Sequence, residues 1–70
     1  MAQAQDPATE IGTAIRRARK EAGLTQQQLG DLAGVSDRTL RDIESGAGGS
    51  ALRSVLTVLA VLGLEVTVTP

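Results

Sequence analysis

Four charged side chains near the middle of the chain, two aspartates and two arginines, lie along one face of a predicted helix. Asp37, Arg38, Arg41 and Asp42 are spaced to form two i,i+4 pairs, Asp37 with Arg41 and Arg38 with Asp42. Arginine can donate two parallel hydrogen bonds to guanine, and a carboxylate can accept one from the amino group of cytosine. This face therefore either reads base edges in a major groove or is a solvated surface of paired charges.

Two short helices must position these side chains. Ser36 is the predicted N-cap of the charged helix, whose core face carries Leu40 and Ile43 and which ends at Gly46. The sequence Gly34-Val35-Ser36 joins it to the preceding helix.

The preceding helix begins after Thr25, where Gln28 completes a predicted capping box. Its predicted inward residues are Leu29, Leu32 and Ala33. Two helices joined by a short glycine turn indicate a helix-turn-helix, whose second helix enters the major groove of DNA.

The composition restricts the function. The 70 residues make one small domain without cysteine, histidine or an aromatic residue, and the net charge is −1. Disulfides, an ordinary zinc site and base stacking on aromatic rings are therefore excluded, and we expect no enzyme, no catalytic residue, no metal and no cofactor. The apolar run 55–64 is too short to span a membrane, and MAQAQDP lacks the features of a secretion signal, so we expect a cytoplasmic protein.

Positive charge is concentrated in the first predicted helix. Asp6 and Pro7 indicate its start, Gly23 its end, and the segment 16–20 (RRARK) holds four of the seven basic residues. This cluster either contacts phosphates or is a solvated face. Residues 1–6 are predicted to be a disordered tail.

The last predicted helix, 51–62 with Ser50 as its cap, has an apolar arc too wide for one small core. Its centre is predicted at Leu52, Val55, Leu56, Leu59 and Leu62. After Gly63 the apolar residues Leu64, Val66 and Val68 recur at every second position, which is typical of a strand. Since the chain offers no second strand, residues 64–70 are predicted to pair with a second copy across a two-fold axis, the alternative being a disordered tail. The predicted dimerisation residues are Val58, Val61, Leu62, Leu64, Val66 and Val68.

Over residues 9–63 the chain resembles the XRE/Cro-type helix-turn-helix regulators. The resemblance is carried by Arg16…Arg19, Gly23-Leu24-Thr25-Gln26, Leu29, Gly34-Val35-Ser36, Leu40, Ile43-Glu44 and Gly46. The ending LGLEVTV looks like that of HipB-type antitoxins. The resemblance implies an all-α, lambda-repressor-like domain of four to five helices, with a C-terminal strand that pairs between subunits. It also implies binding to a palindromic operator in double-stranded DNA and to a HipA-like kinase toxin.

The resemblance also implies individual roles. It assigns Gln26 to a phosphate, Arg38 to guanine and Arg41 to a phosphate, and Asp42 either positions Arg38 or forms a surface pair with it. Asp37 either accepts from cytosine or complements the helix dipole. The full predicted DNA-binding set is Gln26, Gln27, Ser36, Asp37, Arg38, Thr39, Arg41 and Asp42.

The resemblance also implies structural roles for three further residues. Arg19 and Glu44 correspond to a partly buried ion pair between the first and third helices. Gly30 stands where the family usually has alanine, which predicts a short helix weakened by ~1 kcal/mol.

The sequence thus predicts a helix-turn-helix domain at residues 7–63 and a dimerisation strand at 64–70. Its predicted function is that of a dimeric, sequence-specific repressor, the antitoxin of a toxin–antitoxin pair that regulates its own operon. Two alternatives remain: a module that neutralises a toxin with little DNA binding, and a stand-alone phage-type repressor.

Overall fold

The computed structural model describes residues 6–47 and 49–69, and this part of the chain is all-α. Its helices are α1 (Pro7–Glu21), α2 (Gln26–Ala33), α3 (Asp37–Ser45) and α4 (Leu52–Val61). Of the predicted tail, residues 1–5 lie outside the described residues, and Asp6 belongs to the first helix cap. No helix in the described ranges has the length and hydropathy needed to cross a membrane.

Local capping signals decide where the first three helices begin. The Asp6 carboxylate accepts a hydrogen bond from the Thr9 backbone N–H at 3.0 Å, which lowers the pKa of Asp6 below its usual value of 3.8. The predicted capping box forms in full: Thr25 accepts from the backbone of Gln28, and the Gln28 side chain accepts from the backbone of Thr25. The predicted starts of α1 and α2 are therefore confirmed.

The start of α4 differs from the prediction. Ser50 is not its cap: the N-cap is Ala51, no side chain caps this helix, and the first helical residue is Leu52. The expectation for Ser50 was wrong because the chain enters α4 at Ala51, one residue later, and a serine caps a helix only from the position at which the chain enters it.

The core lies where all four helices meet. Ile15, Leu29, Leu40 and Val58 are fully buried there, with Ile43 and Leu59 nearly so. Leu32, predicted to face inward, is 62% exposed, and Leu52 and Leu56 are exposed too. The centre of the α4 apolar face is shifted toward Val58, because the packing against α2 selects which part of a wide apolar arc is buried.

Gly12 permits the close approach of α1 to α3. A Cβ placed on Gly12 would lie 2.6 Å from the Glu44 carbonyl oxygen and would also overlap the Ile43 carbonyl oxygen. The α1–α3 contact therefore requires glycine at this position, although glycine weakens a helix interior.

The C-terminal segment leaves the domain after Gly63 in extended form. The Leu64 N–H donates to the Leu59 carbonyl at 2.9 Å, and the Leu64 side chain packs against the core. Val66 and Val68 are exposed, and residues 64–69 form no strand within the described chain. Pairing with a second copy stays a prediction.

Candidate nucleic-acid interface

A tight corner between α2 and α3 sets the angle of the second helix. Gly34 ends α2 in the left-handed conformation (φ 71°), and the Val35 N–H donates to the Gly30 carbonyl at 2.9 Å. Ser36 then caps α3 by accepting from the Thr39 N–H at 3.0 Å. A Cβ on Gly30 would lie 2.8 Å from the Val35 carbonyl oxygen. Gly30 is therefore more than a weak point of α2, because it makes room for the corner.

The outer face of α3 presents its charged side chains to solvent. Asp37, Arg38 and Arg41 are exposed, while Thr39 and Asp42 are half-buried. Arg41 lies 3.8 Å from Asp37 with both side chains more than half exposed, a geometry that holds neither charge firmly.

The second predicted pair on this face does not form. No ion pair joins Arg38 to Asp42 in the described part of the chain, so Asp42 neither positions Arg38 nor neutralises it there. The Ser36 hydroxyl makes two hydrogen bonds: it accepts from the Thr39 N–H and donates to the Thr39 hydroxyl, at 3.0 Å. The exposed charged donors on this face are therefore Arg38 and Arg41.

A buried ion pair fixes α3 to α1. Arg19 donates to both carboxylate oxygens of Glu44, at 2.7 and 3.1 Å, and also to the Leu24 carbonyl at 2.8 Å. The side chains of Arg19 and Glu44 are only 10% and 4% exposed. Two parallel hydrogen bonds between charged groups define both distance and orientation. The pair thus sets the rotation of α3 and, with it, the direction of the outer face.

Gln26 joins this network, which sequence reasoning did not predict. Its side-chain N–H donates to Glu44 Oε1 at 3.2 Å, so the first residue of α2 is attached to the same carboxylate as α1. No local pattern signals this bond, because the two residues are 18 positions apart. The bond to Glu44 restricts the orientation in which the Gln26 side chain can contact a phosphate. Gln27 is exposed on the solvent face of α2.

The predicted dimerisation residues divide into three groups. Val58 was placed wrongly, because it is fully buried in the core of its own chain and has no surface to offer a second copy. Leu62 and Leu64 are half-buried against the same core. Val61, Val66 and Val68 are exposed.

An exposed, charged helix held rigidly behind a glycine corner defines a helix-turn-helix protein. The helix-turn-helix family HTH_3 matches residues 15–68, and the chain belongs to this family. A curated relative, described as an uncharacterised HTH-type transcriptional regulator y4mF of Sinorhizobium fredii, is 37% identical over 59 residues, which is 84% of this chain and 78% of the relative.

Solved structures share the fold. A chain of a HipA–HipB–O2–O3 complex superimposes with a TM-score of 0.80 at 23% identity, over 99% of this chain and 97% of its own. The restriction-modification controller protein C.AhdI of Aeromonas hydrophila gives a TM-score of 0.75 at 24% identity, over 87% and 92% of the two chains. The solved structures thus agree on the fold, and the family match and the curated relative identify the chain as a helix-turn-helix transcriptional regulator.

Proposed function

We propose that this protein is a dimeric, sequence-specific repressor that binds a palindromic operator and serves as the antitoxin of a toxin–antitoxin pair. The observation that carries the proposal is the outer face of α3, where Arg38 and Arg41 are exposed while the buried Glu44 of the same helix is held by Arg19. Such a helix can enter a major groove without losing its packing on the domain.

In this proposal Arg38 is the base-reading residue. It lies in the first turn of α3, which in a helix-turn-helix approaches the base edges, and the described chain gives it no acidic partner. Guanine, with two acceptors in the major groove, is the base that its guanidinium fits.

Dimerisation follows from two features of the chain. The outer face of α3 carries as many aspartates as arginines at positions 37–42, so a single subunit has little net attraction for phosphates. The valines at 66 and 68 expose apolar surface, and residues 65–69 make no backbone hydrogen bond within the described chain. An antiparallel partner strand supplies both the missing hydrogen bonds and an apolar cover. Two α3 helices then lie about 34 Å apart on successive major grooves.

The antitoxin role rests on the likeness to HipB, whose solved complex also contains HipA. The partner is accordingly a HipA-like kinase, and the site of action is the cytoplasm. If the adjacent gene encodes such a kinase, the two proteins should co-purify after joint expression. If no partner gene adjoins, a stand-alone repressor is the better description.

A second candidate function is toxin neutralisation with little DNA binding, favoured by the balanced charge of the α3 outer face. Substitution separates the two functions. Arg38→Ala should abolish the preference for the operator while leaving toxin binding intact. Arg53→Ala, which removes the same charge from an exposed position on α4, is the matched control and should retain operator binding.

The DNA-binding test is a gel-shift series at increasing salt on the DNA upstream of the protein's own gene. A repressor should prefer this DNA over unrelated duplex by at least about 10³-fold. Equal affinity for both would rule out sequence-specific binding.

The dimer test is light scattering on a chain truncated after Leu64. This truncation keeps the Leu64 packing and its bond to Leu59, so the helical domain should still fold. We expect a monomer. A dimer of unchanged stability would show that the C-terminal strand does not form the interface.

A further inference from the structure

A small polar notch lies beside the C-terminal half of α3, apart from the base-reading end. Its volume is about 260 Å³, and three helices contribute to it. The lining residues are Arg16, Arg19, Gln26, Arg41, Glu44 and Ser45.

The charge of this notch is positive. Arg19 and Glu44 form its floor and neutralise each other through two hydrogen bonds. Arg16 from α1 and Arg41 from α3 form its walls, and the described residues give Arg16 no acidic partner. The carboxylate paired with Arg41 is that of Asp37, at 3.8 Å and more than half exposed. Two arginines from different helices thus converge on a space lined by an already paired carboxylate.

The N-terminus of α2 lies next to the notch. The capping box of α2 uses the N–H groups of Thr25 and Gln28. The backbone N–H groups of Gln26 and Gln27, the first two of α2, have no acceptor within the helix and lie at its positive end. Gln26 itself lines the notch.

We infer that this notch binds one phosphate of the DNA backbone, held between Arg16 and Arg41, so that α1 takes part in the DNA interface. The inference rests on the proposed function and adds Arg16 to the contacts. A phosphate, rather than a base, fits because Arg41 and Ser45 belong to the half of α3 that is directed away from the base-reading end. Arginine pairs with phosphate oxygens through two parallel hydrogen bonds, and helix N-termini bind the same group.

Arg17 provides a matched control one residue further along α1. It is exposed like Arg16 but lies in a different surface groove, with Thr13, Lys20 and Glu21, and does not line the notch. Arg16→Gln and Arg17→Gln therefore remove the same charge from the same helix, and only the first removes it from the notch.

The experiment measures fluorescence anisotropy of a labelled operator duplex over a salt series with wild type and both variants. Each lost phosphate contact lowers the slope of log K against log salt by about 0.9, which is about 1.8 for a dimer. Between about 50 and 200 mM salt, the wild type should thus lose roughly tenfold more affinity than Arg16→Gln. Arg17→Gln should keep the wild-type slope.

The operator preference should be unchanged in Arg16→Gln, because phosphate contacts carry no sequence information. Equal slopes for Arg16→Gln and Arg17→Gln would overturn the inference, and so would a loss of operator preference in Arg16→Gln. Failure of the proposed function shows separately, as an absence of operator preference in the wild type.

A neutral methylphosphonate placed at each backbone position in turn locates the contact. One position in each half-site should weaken the wild type and Arg17→Gln strongly and Arg16→Gln less, because Arg41 still contacts the phosphate there. The effect of the same position should also be reduced in Arg41→Gln, where Arg16 remains. Two different positions for Arg16 and Arg41 would show that the notch does not hold a shared phosphate.

Discussion

Replacement of Gly12 by alanine tests the packing of α1 on α3, because helix propensity predicts a gain in the free energy of unfolding and packing predicts a loss. In the interior of a helix, alanine is favoured over glycine by ~1 kcal/mol. The added Cβ, however, would lie 2.6 Å from the Glu44 carbonyl oxygen, whereas ordinary contact begins at 3.4 Å. The two helices must therefore separate by at least about 0.8 Å, the difference of these two distances, because the Ile43 carbonyl oxygen lies closer still.

The expected cost exceeds the gain in propensity. A gap of this size removes a quarter to a half of the dispersion attraction between the facing atoms, and overpacking a core costs typically ~1–3 kcal/mol or more. The same separation lengthens the 2.7 Å bond of Arg19 to Glu44, which is buried. We expect Gly12→Ala to lower the free energy of unfolding by about 2 kcal/mol net and the Tm by roughly 8–16 °C.

The assay is thermal and urea denaturation followed by far-UV circular dichroism at one chain concentration, since dimerisation makes Tm depend on concentration. Ala14→Gly is the control, because Ala14 is exposed on the same helix and should lose only the ~1 kcal/mol of helix propensity. A Gly12→Ala variant as stable as the wild type, or more stable, would refute the account of the α1–α3 contact.

The remaining predictions concern the ion pair, the corner and the first helix cap. Glu44→Gln should destabilise the domain by about 3 kcal/mol in urea denaturation, because it leaves the buried Arg19 without its counter-charge; a loss below about 1 kcal/mol would contradict burial of the pair. Gly30→Ala should be destabilising by about 1 kcal/mol against its favourable helix propensity, since the Cβ meets the Val35 carbonyl oxygen, and a gain in stability would show that the corner relaxes freely. The folded-state pKa of Asp6 is lowered, so the cap should stabilise above the ordinary value of 3.8 and lose this effect as the pH falls through the lower folded value. The Tm difference between wild type and Asp6→Ala should accordingly be largest at neutral pH and shrink in acid, and a difference independent of pH would count against an ionised cap.

Helix boundaries were predictable because the signals that set them are local. Thr25 and Gln28 are three residues apart, as are Ser36 and Thr39, and Gly34 follows the helix that it ends. Each of these contacts is decided within one turn of chain, so a short window of sequence contains the whole cause.

Contacts between distant segments were predicted less well. The wide apolar arc of the last helix is compatible with several burial faces, and only the position of α2 selects Val58 over Leu52. The role of Gly12 depends on a carbonyl 32 positions further along the chain, and the bond of Gln26 to Glu44 spans 18. The pair of Arg19 with Glu44 could be anticipated only through the resemblance to a family.

The two faces of α3 separate the residues that hold the domain together from those that meet DNA. Leu40, Ile43 and Glu44 are buried on one side, and Arg38 and its neighbours are exposed on the other. Substitutions at exposed positions usually change stability by less than ~0.5 kcal/mol. The preference for an operator can therefore change one residue at a time at almost no cost in folding. Copies of this domain in one cell can diverge in the DNA that they recognise while they keep the same scaffold, which makes α3 a natural place to engineer a new target.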